Sequence, residues 1–172
     1  MKRMMSIMAV ALTCLFFCAK VSAQTADLVD VAAGSKDHST LVSAVKAAGL
    51  VNDLKAAGPF TVFAPTNEAF NKLPAGVVES LLQPENKEVL AKVLKNHVVA
   101  GKLDAAAVTD AIKQGNGKAV FNTLSGGKLT AVLEGGRVKL TDEGGRSSYI
   151  VTPDIPASNG MVHVVDAVVM PK

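Results

Sequence analysis

Three histidines, His38, His97 and His163, are the side chains whose chemistry most directly suggests a metal or acid–base site. No two of them are four residues apart, as ligands on one helix face would be, and none belongs to a His-Glu-x-x-His arrangement. Both cysteines lie near the start of the chain, at positions 14 and 18, so a zinc ion would need all three histidines or help from carboxylates. The sequence therefore predicts no metal site and no cofactor.

The abrupt change at Thr66, inside GPFTVFAPTNEAF (58–70), raises the question of a catalytic turn. A nucleophile on a strand-to-helix elbow requires Gly-x-Ser-x-Gly, and Thr66 lacks both flanking glycines. Thr66 instead suits a helix N-cap, since its hydroxyl can accept hydrogen bonds from the open amides of the first helical turn. The corner is therefore predicted to be architectural.

Two other patterns match catalytic motifs only in part. SGGK (125–128) and GNGK (115–118) lack the glycine spacing of a phosphate-binding loop, and Leu129 or Ala119 stands where Ser or Thr is required.

Asp166, among valines, is expected to accept hydrogen bonds from backbone or a hydroxyl, because a buried charge must be paired. The sequence therefore predicts that the chain is not an enzyme.

The elements that would position these residues fall into two parts. From Asp27 to about Gln114 the apolar spacing is typical of short helices, and Asp104 can cap one that runs through Ile112. A short strand, FTVFA (60–64), interrupts them and is apolar on both faces.

From Lys118 onward the pattern is typical of β-strands. Glycine pairs at 126–127, 135–136 and 144–145 recur every nine residues, and each pair suits a two-residue hairpin turn. MVHVVDAVVM (161–170) is apolar on both faces apart from His163 and Asp166, which predicts a central strand. Helices followed by a meander predict an α+β fold in which the early strand pairs back into the sheet.

Several blocks of the chain resemble fasciclin domains. GPFTVFAPTNEAFNKLP (58–74) resembles the first signature block of that family, and SNGMVHVVDAVVMP (158–171) resembles the terminal one. LKNHVVAGKL (94–103) is similar to the family's Tyr-His segment and NTLSGGKLTA (122–131) to its Thr-Leu-x-Gly strand. The resemblance implies a fasciclin-type, wedge-shaped β-sandwich with several short α-helices packed on it, forming one domain over residues 24–172. It also implies extracellular binding and cell adhesion rather than catalysis.

The Tyr-His segment is the position where a functional and a structural interpretation compete. The resemblance implies a binding surface made of Asn96, His97, Val98 and Val99, with Asn96 standing where many members have tyrosine. The structural alternative is that His97 ends a helix, where an imidazole can meet open carbonyls. The loss of the tyrosine removes a large aromatic of the kind that interfaces favour. The residues leave both interpretations open.

The first residues predict export. Lys2 and Arg3 precede a mostly apolar run from Ile7 to Phe17, and small residues at 21–23 follow, which is the pattern of a signal peptide over residues 1–23. No later segment reaches the roughly 20 apolar residues of a membrane span. We therefore expect a protein without a stable membrane span after cleavage, secreted or held in the periplasm or at the cell surface.

Charge and composition narrow the partners. The chain has 18 Lys and Arg against 15 Asp and Glu, but from Gln24 onward both numbers are 15, so that part has no net charge. No basic stretch with interleaved aromatics suggests nucleic acid. We expect a monomeric, non-catalytic module that binds a cell-surface or matrix protein or polymer. The alternative is a carrier of a small apolar ligand in a groove between helices and sheet.

Overall fold

The computed structural model describes residues 26–171. The predicted signal peptide and its cleavage site therefore lie outside the described residues. The helices are α1 (Leu28–Ala33), α2 (Ser39–Ala48), α3 (Val51–Lys55), α4 (Asn67–Asn71), α5 (Val77–Leu81), α6 (Lys87–Asn96) and α7 (Ala105–Gln114), with 3-10 turns at Lys36–His38 and Pro84–Asn86. The strands are β1 (Phe60–Pro65), β2 (Val98–Ala100), β3 (Lys118–Asn122), β4 (Lys128–Glu134), β5 (Arg137–Thr141), β6 (Ser147–Ala157) and β7 (Gly160–Val165).

The seven strands form one sheet in the order β2-β1-β7-β6-β5-β4-β3. Strand β1 pairs with β7 in parallel, and the other neighbours are antiparallel. The two edges of the sheet meet where Val99 forms a bridge with Thr123 and the Leu124 N–H donates to the Val98 carbonyl over 2.8 Å. The sheet is therefore a nearly closed barrel or sandwich with short helices packed on it, and the predicted α+β class is confirmed.

Strands β1 and β7 separate two apolar cores. Val62 and Val162 face the first core, which the helices α1 to α6 cover. Phe63 and Val165 face the second core, which fills the sheet interior and is closed by Val108 and other residues of α7. Because each of these strands is buried on both faces, the central position predicted for the last strand and the return of the early strand to the sheet are both confirmed.

The predicted capping residues lie where the sequence placed them. Asp104 Oδ1 accepts from the Ala107 N–H over 2.7 Å at the start of α7, which ends before Gly115. Thr66 Oγ1 accepts from the Ala69 N–H over 3.2 Å at the start of α4. The predicted N-cap role of Thr66 is therefore confirmed.

The prediction of three two-residue hairpin turns is right for one glycine pair and wrong for the other two. Gly135 and Gly136 both have positive φ, at 58° and 79°, and join β4 to β5 directly. At the other two pairs the loop is longer: the Thr123 N–H donates to Gly127, and the Asp142 N–H donates to Arg146. In these loops one glycine of each pair has positive φ, as in a three-residue hairpin connection.

Candidate binding site

The segment Asn96–Val99 joins the end of α6 to β2 and lies inside the molecule. The four residues are 1%, 2%, 2% and 3% exposed. The expectation that these side chains form a contact surface is therefore wrong for the folded chain. The physical reason is that β2 is the strand at which the sheet closes, so the segment is covered by helices on one side and by the 123–127 loop on the other.

His97 uses both ring nitrogens within the fold. Nδ1 donates to the carbonyl of Val93 over 2.9 Å, one turn earlier in α6, and Nε2 accepts from the Val169 N–H over 3.1 Å. Burial lowers the pKa of His97 to about 4, although the Val93 hydrogen bond and the Asp142 charge act in the opposite direction. The ring is therefore neutral at physiological pH, and the structural interpretation of His97 as a helix-ending side chain that meets an open carbonyl accounts for its contacts.

Asn96 fastens α6 to the loop that closes the sheet. Its Oδ1 accepts from Thr123 Oγ1 over 3.2 Å and from Ser125 Oγ over 3.0 Å. A Cβ atom on Gly127 would lie 2.8 Å from the same oxygen, so glycine leaves the space that the amide occupies. The polar side chain at this position thus holds the 123–127 loop against the end of α6.

An open groove lies beside the segment and gives it access to the surface. The groove has a volume of about 390 Å³. Val98, Leu94 and Leu124 contribute to its lining, and Leu124 is 41% exposed. An ion pair between Lys95 Nζ and Asp53 Oδ2, 3.8 Å apart, flanks the apolar lining. The remaining lining residues are Leu50, Leu54, Ala56 and Phe60. We call this feature the segment groove.

The other two histidines have different environments. His163 is fully buried: Nε2 contacts the Leu103 carbonyl over 2.7 Å, and Nδ1 accepts from the Asp154 N–H over 3.2 Å. His38 is 5% exposed, and both of its ring nitrogens are buried. Burial lowers the pKa of His38, against the charge of Asp37. Within residues 26–171 no group of three or more His, Cys, Asp or Glu side chains is placed to hold a metal ion.

Asp166 is less buried than its valine-rich surroundings predicted. Its carboxylate accepts from the Tyr149 N–H over 2.8 Å, as expected for a backbone-bonded carboxylate. Its other oxygen lies 3.8 Å from Lys72 Nζ, and the side chain is 36% exposed. Its contacts are those of a residue that orders the end of β7.

A second groove lies between the helical residues of α1 and the 3-10 turn Lys36–His38 on one side and strands β1, β6 and β7 on the other. It has a volume of about 570 Å³ and includes Val162, Val164 and Ile155 from the sheet. His38 and Thr66 are also among its lining residues. We call it the His38 groove; it is a concave space between helices and sheet of the kind that the carrier alternative requires. Sequence reasoning could not find it, because its walls come from four separate stretches of the chain.

None of the helices within residues 26–171 is both long enough and apolar enough to cross a membrane.

Comparison with known proteins agrees with the fold. A family model of the fasciclin domain matches residues 36–171. The chain belongs to the fasciclin-domain family. It is 50% identical to protein sll1483 of Synechocystis over 144 residues, 84% of this chain and 73% of that protein. It is 32% identical to immunogenic protein MPB70 of Mycobacterium bovis over 158 residues, 89% of this chain and 74% of that protein.

Two further comparisons concern larger proteins. Transforming growth factor-beta-induced protein ig-h3 of Sus scrofa is 35% identical over 144 residues, 84% of this chain but 19% of that protein. A solved fasciclin-domain pair from the insect cell adhesion molecule fasciclin I superposes with a TM-score of 0.60 at 21% identity, covering 76% of this chain and 45% of that one. The likeness to this solved structure confirms the predicted fasciclin-type fold.

Proposed function

We propose that this fasciclin domain is an exported, non-catalytic adhesion module that binds a cell-surface or matrix protein through the segment groove. The observation that carries the proposal is an open apolar groove directly beside Asn96–Val99, the segment that family resemblance assigns to binding. Of the buried segment, Val98 lines this groove, and the side chains available to a partner are the exposed lining residues such as Leu124. The adhesion-related name of a structural relative, the insect cell adhesion molecule fasciclin I, supports the same class of function.

The groove suits a single apolar side chain or short apolar segment of the partner. Its lining is aliphatic and aromatic, and burying such surface stabilises a complex by about 25 cal/mol per Å². The ion pair between Lys95 and Asp53 at its margin offers polar contacts that fix the partner's orientation. Leu124 is the best residue to substitute in a test of the groove. Its side chain is partly exposed, whereas its backbone N–H donates the hydrogen bond to Val98 at which the sheet closes.

Adhesion of beads coated with purified domain to host cells or to matrix tests the proposal. Leu124→Asp keeps the backbone hydrogen bond to Val98 but places a charge at the groove, so we expect a folded protein with adhesion reduced about tenfold or more. Val89→Asp is the matched control, since Val89 is 52% exposed in the first turn of α6 and does not line the groove. Equal adhesion by both variants would contradict the assignment of the groove.

A second candidate function is favoured by the His38 groove. The apolar residues that line it, among them Ile155, Val162 and Val164, would suit a small, mostly apolar ligand. A separate enclosed cavity among the helices is too small for that purpose, at about 30 Å³. Native mass and absorbance of protein purified from its own host test the carrier function: added mass or an absorbing ligand supports it, and the bare chain mass of a monomer contradicts it.

A further inference from the structure

The outward-facing residues of β3, β4, β5 and the first part of β6 form a continuous face on the side of the meander away from the core. Burial alternates along these strands, with Leu129, Ala131 and Leu140 pointing inward and fully buried. We call the opposite side the outer meander face. It shares no residue with the segment groove.

Positive charge is concentrated on the outer meander face. It carries Lys118, Lys128, Arg137 and Lys139, although the chain from Gln24 onward has equal numbers of cationic and anionic side chains. These four residues come from three different strands and are scattered along the sequence. Folding therefore creates a basic surface from residues that do not form a basic stretch in the sequence.

Most of this charge is uncompensated. Glu134 is the acidic residue on the outward positions of the described meander strands, and it is already engaged: it accepts a hydrogen bond from the Tyr149 hydroxyl and lies 3.2 Å from Lys139 Nζ. Among residues 26–171 no carboxylate lies within 4.0 Å of a side-chain nitrogen of Lys118, Lys128 or Arg137. Three cations thus remain open to an external anion.

The register spreads these cations over the outer meander face. Lys118 lies opposite Val132, Val132 opposite Lys139, and Lys139 opposite Tyr149, which makes one row across four strands. Since neighbouring strands are about 4.8 Å apart, Lys118 and Lys139 are separated by about 10 Å. The adjacent row includes the hydroxyls of Thr130 and Thr141. Separated cations with hydroxyls between them match a polymer with repeated negative charges and hydroxyl groups, and do not converge on a single small anion.

We propose that the outer meander face binds an anionic polysaccharide. A protein partner fits less well, because lysine is depleted from the cores of protein interfaces, and here Lys139 lies near the centre while the exposed Val120 and Val151 lie on the outer strands β3 and β6. A single-stranded nucleic acid would need free aromatic faces for its bases. The ring of Tyr149 instead lies beneath the Arg137 guanidinium, 5.4 Å from it.

The proposal is tested by binding of the purified chain to dextran sulfate and to polygalacturonate, with neutral dextran as the uncharged control. We expect binding to at least one of the two anionic polymers at low salt, lost at about 1 M salt, where the screening length falls to about 3 Å. The triple variant Lys118→Gln, Lys128→Gln, Arg137→Gln should bind about tenfold more weakly, because three exposed attractions are removed. Lys46→Gln, Lys92→Gln, Lys102→Gln removes the same net charge elsewhere and should bind as the unaltered chain does.

Several outcomes would overturn the proposal. These are equal weakening by the two triple variants, absence of binding to both anionic polymers, or tighter binding to poly-glutamate or single-stranded DNA than to either polysaccharide. Should the first triple variant fail to fold, Lys118→Glu alone tests the same row, and unchanged binding by that variant counts against the proposal. None of these results depends on the segment groove, so failure here leaves the adhesion proposal to its own test.

Discussion

His97 links the protonation of one side chain to the stability of the whole fold. Its ring is neutral and fully bonded in the folded state, where burial lowers its pKa from 6.5 to about 4. Between pH 6.5 and about pH 4 the unfolded chain binds a proton that the folded chain does not. Its contribution to stability is therefore complete above pH 6.5 and is lost as the pH falls toward 4.

When the pH is lowered from about 7 to about 5, His97 alone should therefore reduce the free energy of unfolding by about 2 kcal/mol. Chemical denaturation at a series of pH values measures it, with His97→Gln expected to lose most of that slope. His38→Gln retains His97 and serves as the comparison, since burial also lowers the pKa of His38. An identical slope in His97→Gln and the unaltered chain would disprove the coupling.

At the scale of single elements, Thr66 connects β1 to α4 as an N-cap. Thr66→Ala removes the acceptor for the Ala69 N–H and should lower the free energy of unfolding by about 0.5–2 kcal/mol. Thr66→Ser keeps a hydroxyl and should cost little. Adhesion by both folded variants should match the unaltered chain, and selective loss of adhesion at unchanged stability would reveal a functional hydroxyl.

Gly160 allows β1 and β7 to approach each other. A Cβ atom at this position would lie 1.9 Å from the carbonyl oxygen of Phe60, its partner in the parallel register. Gly160→Ala should therefore destabilise the domain by about 3 kcal/mol or prevent folding, because the clash is with backbone. Gly34→Ala is the control, since its Cβ would be 3.4 Å from the nearest atom and its φ is −70°. Similar melting temperatures for the two variants would contradict this account of the strand pairing.

The elements that sequence reasoning found and missed differ in how locally they are specified. The caps at Thr66 and Asp104 and the double-sided burial of β7 depend on neighbouring residues, so the pattern predicted them. Strand β2 has three residues and exists because the sheet closes there, a contact between residues far apart in the chain. The same kind of long-range pairing produces three other features that no local pattern revealed. These are the burial of Asn96–Val99, the walls of the two grooves and the charge of the outer meander face.

On the scale of the whole molecule, two cores share β1 and β7, and the segment Asn96–Val99 lies where helices, sheet and closing loop meet. His97 ties this junction to Val169 near the end of the described chain, and Asn96 ties it to Ser125. The buried segment therefore stabilises the groove beside it, while contact with a partner is left to exposed residues such as Leu124. We therefore expect this groove to be a saturable binding site.

Competition by soluble domain tests whether adhesion depends on a groove that can be saturated. Free unaltered protein, added in excess, should block the adhesion of beads coated with the same protein, because the groove's partner sites become occupied. Soluble Leu124→Asp should fail to block at the same concentration, while soluble Val89→Asp should block fully, with all three proteins shown to be folded at the assay temperature. Equal inhibition by Leu124→Asp and the unaltered domain would contradict the claim and exclude the segment groove as the adhesive site.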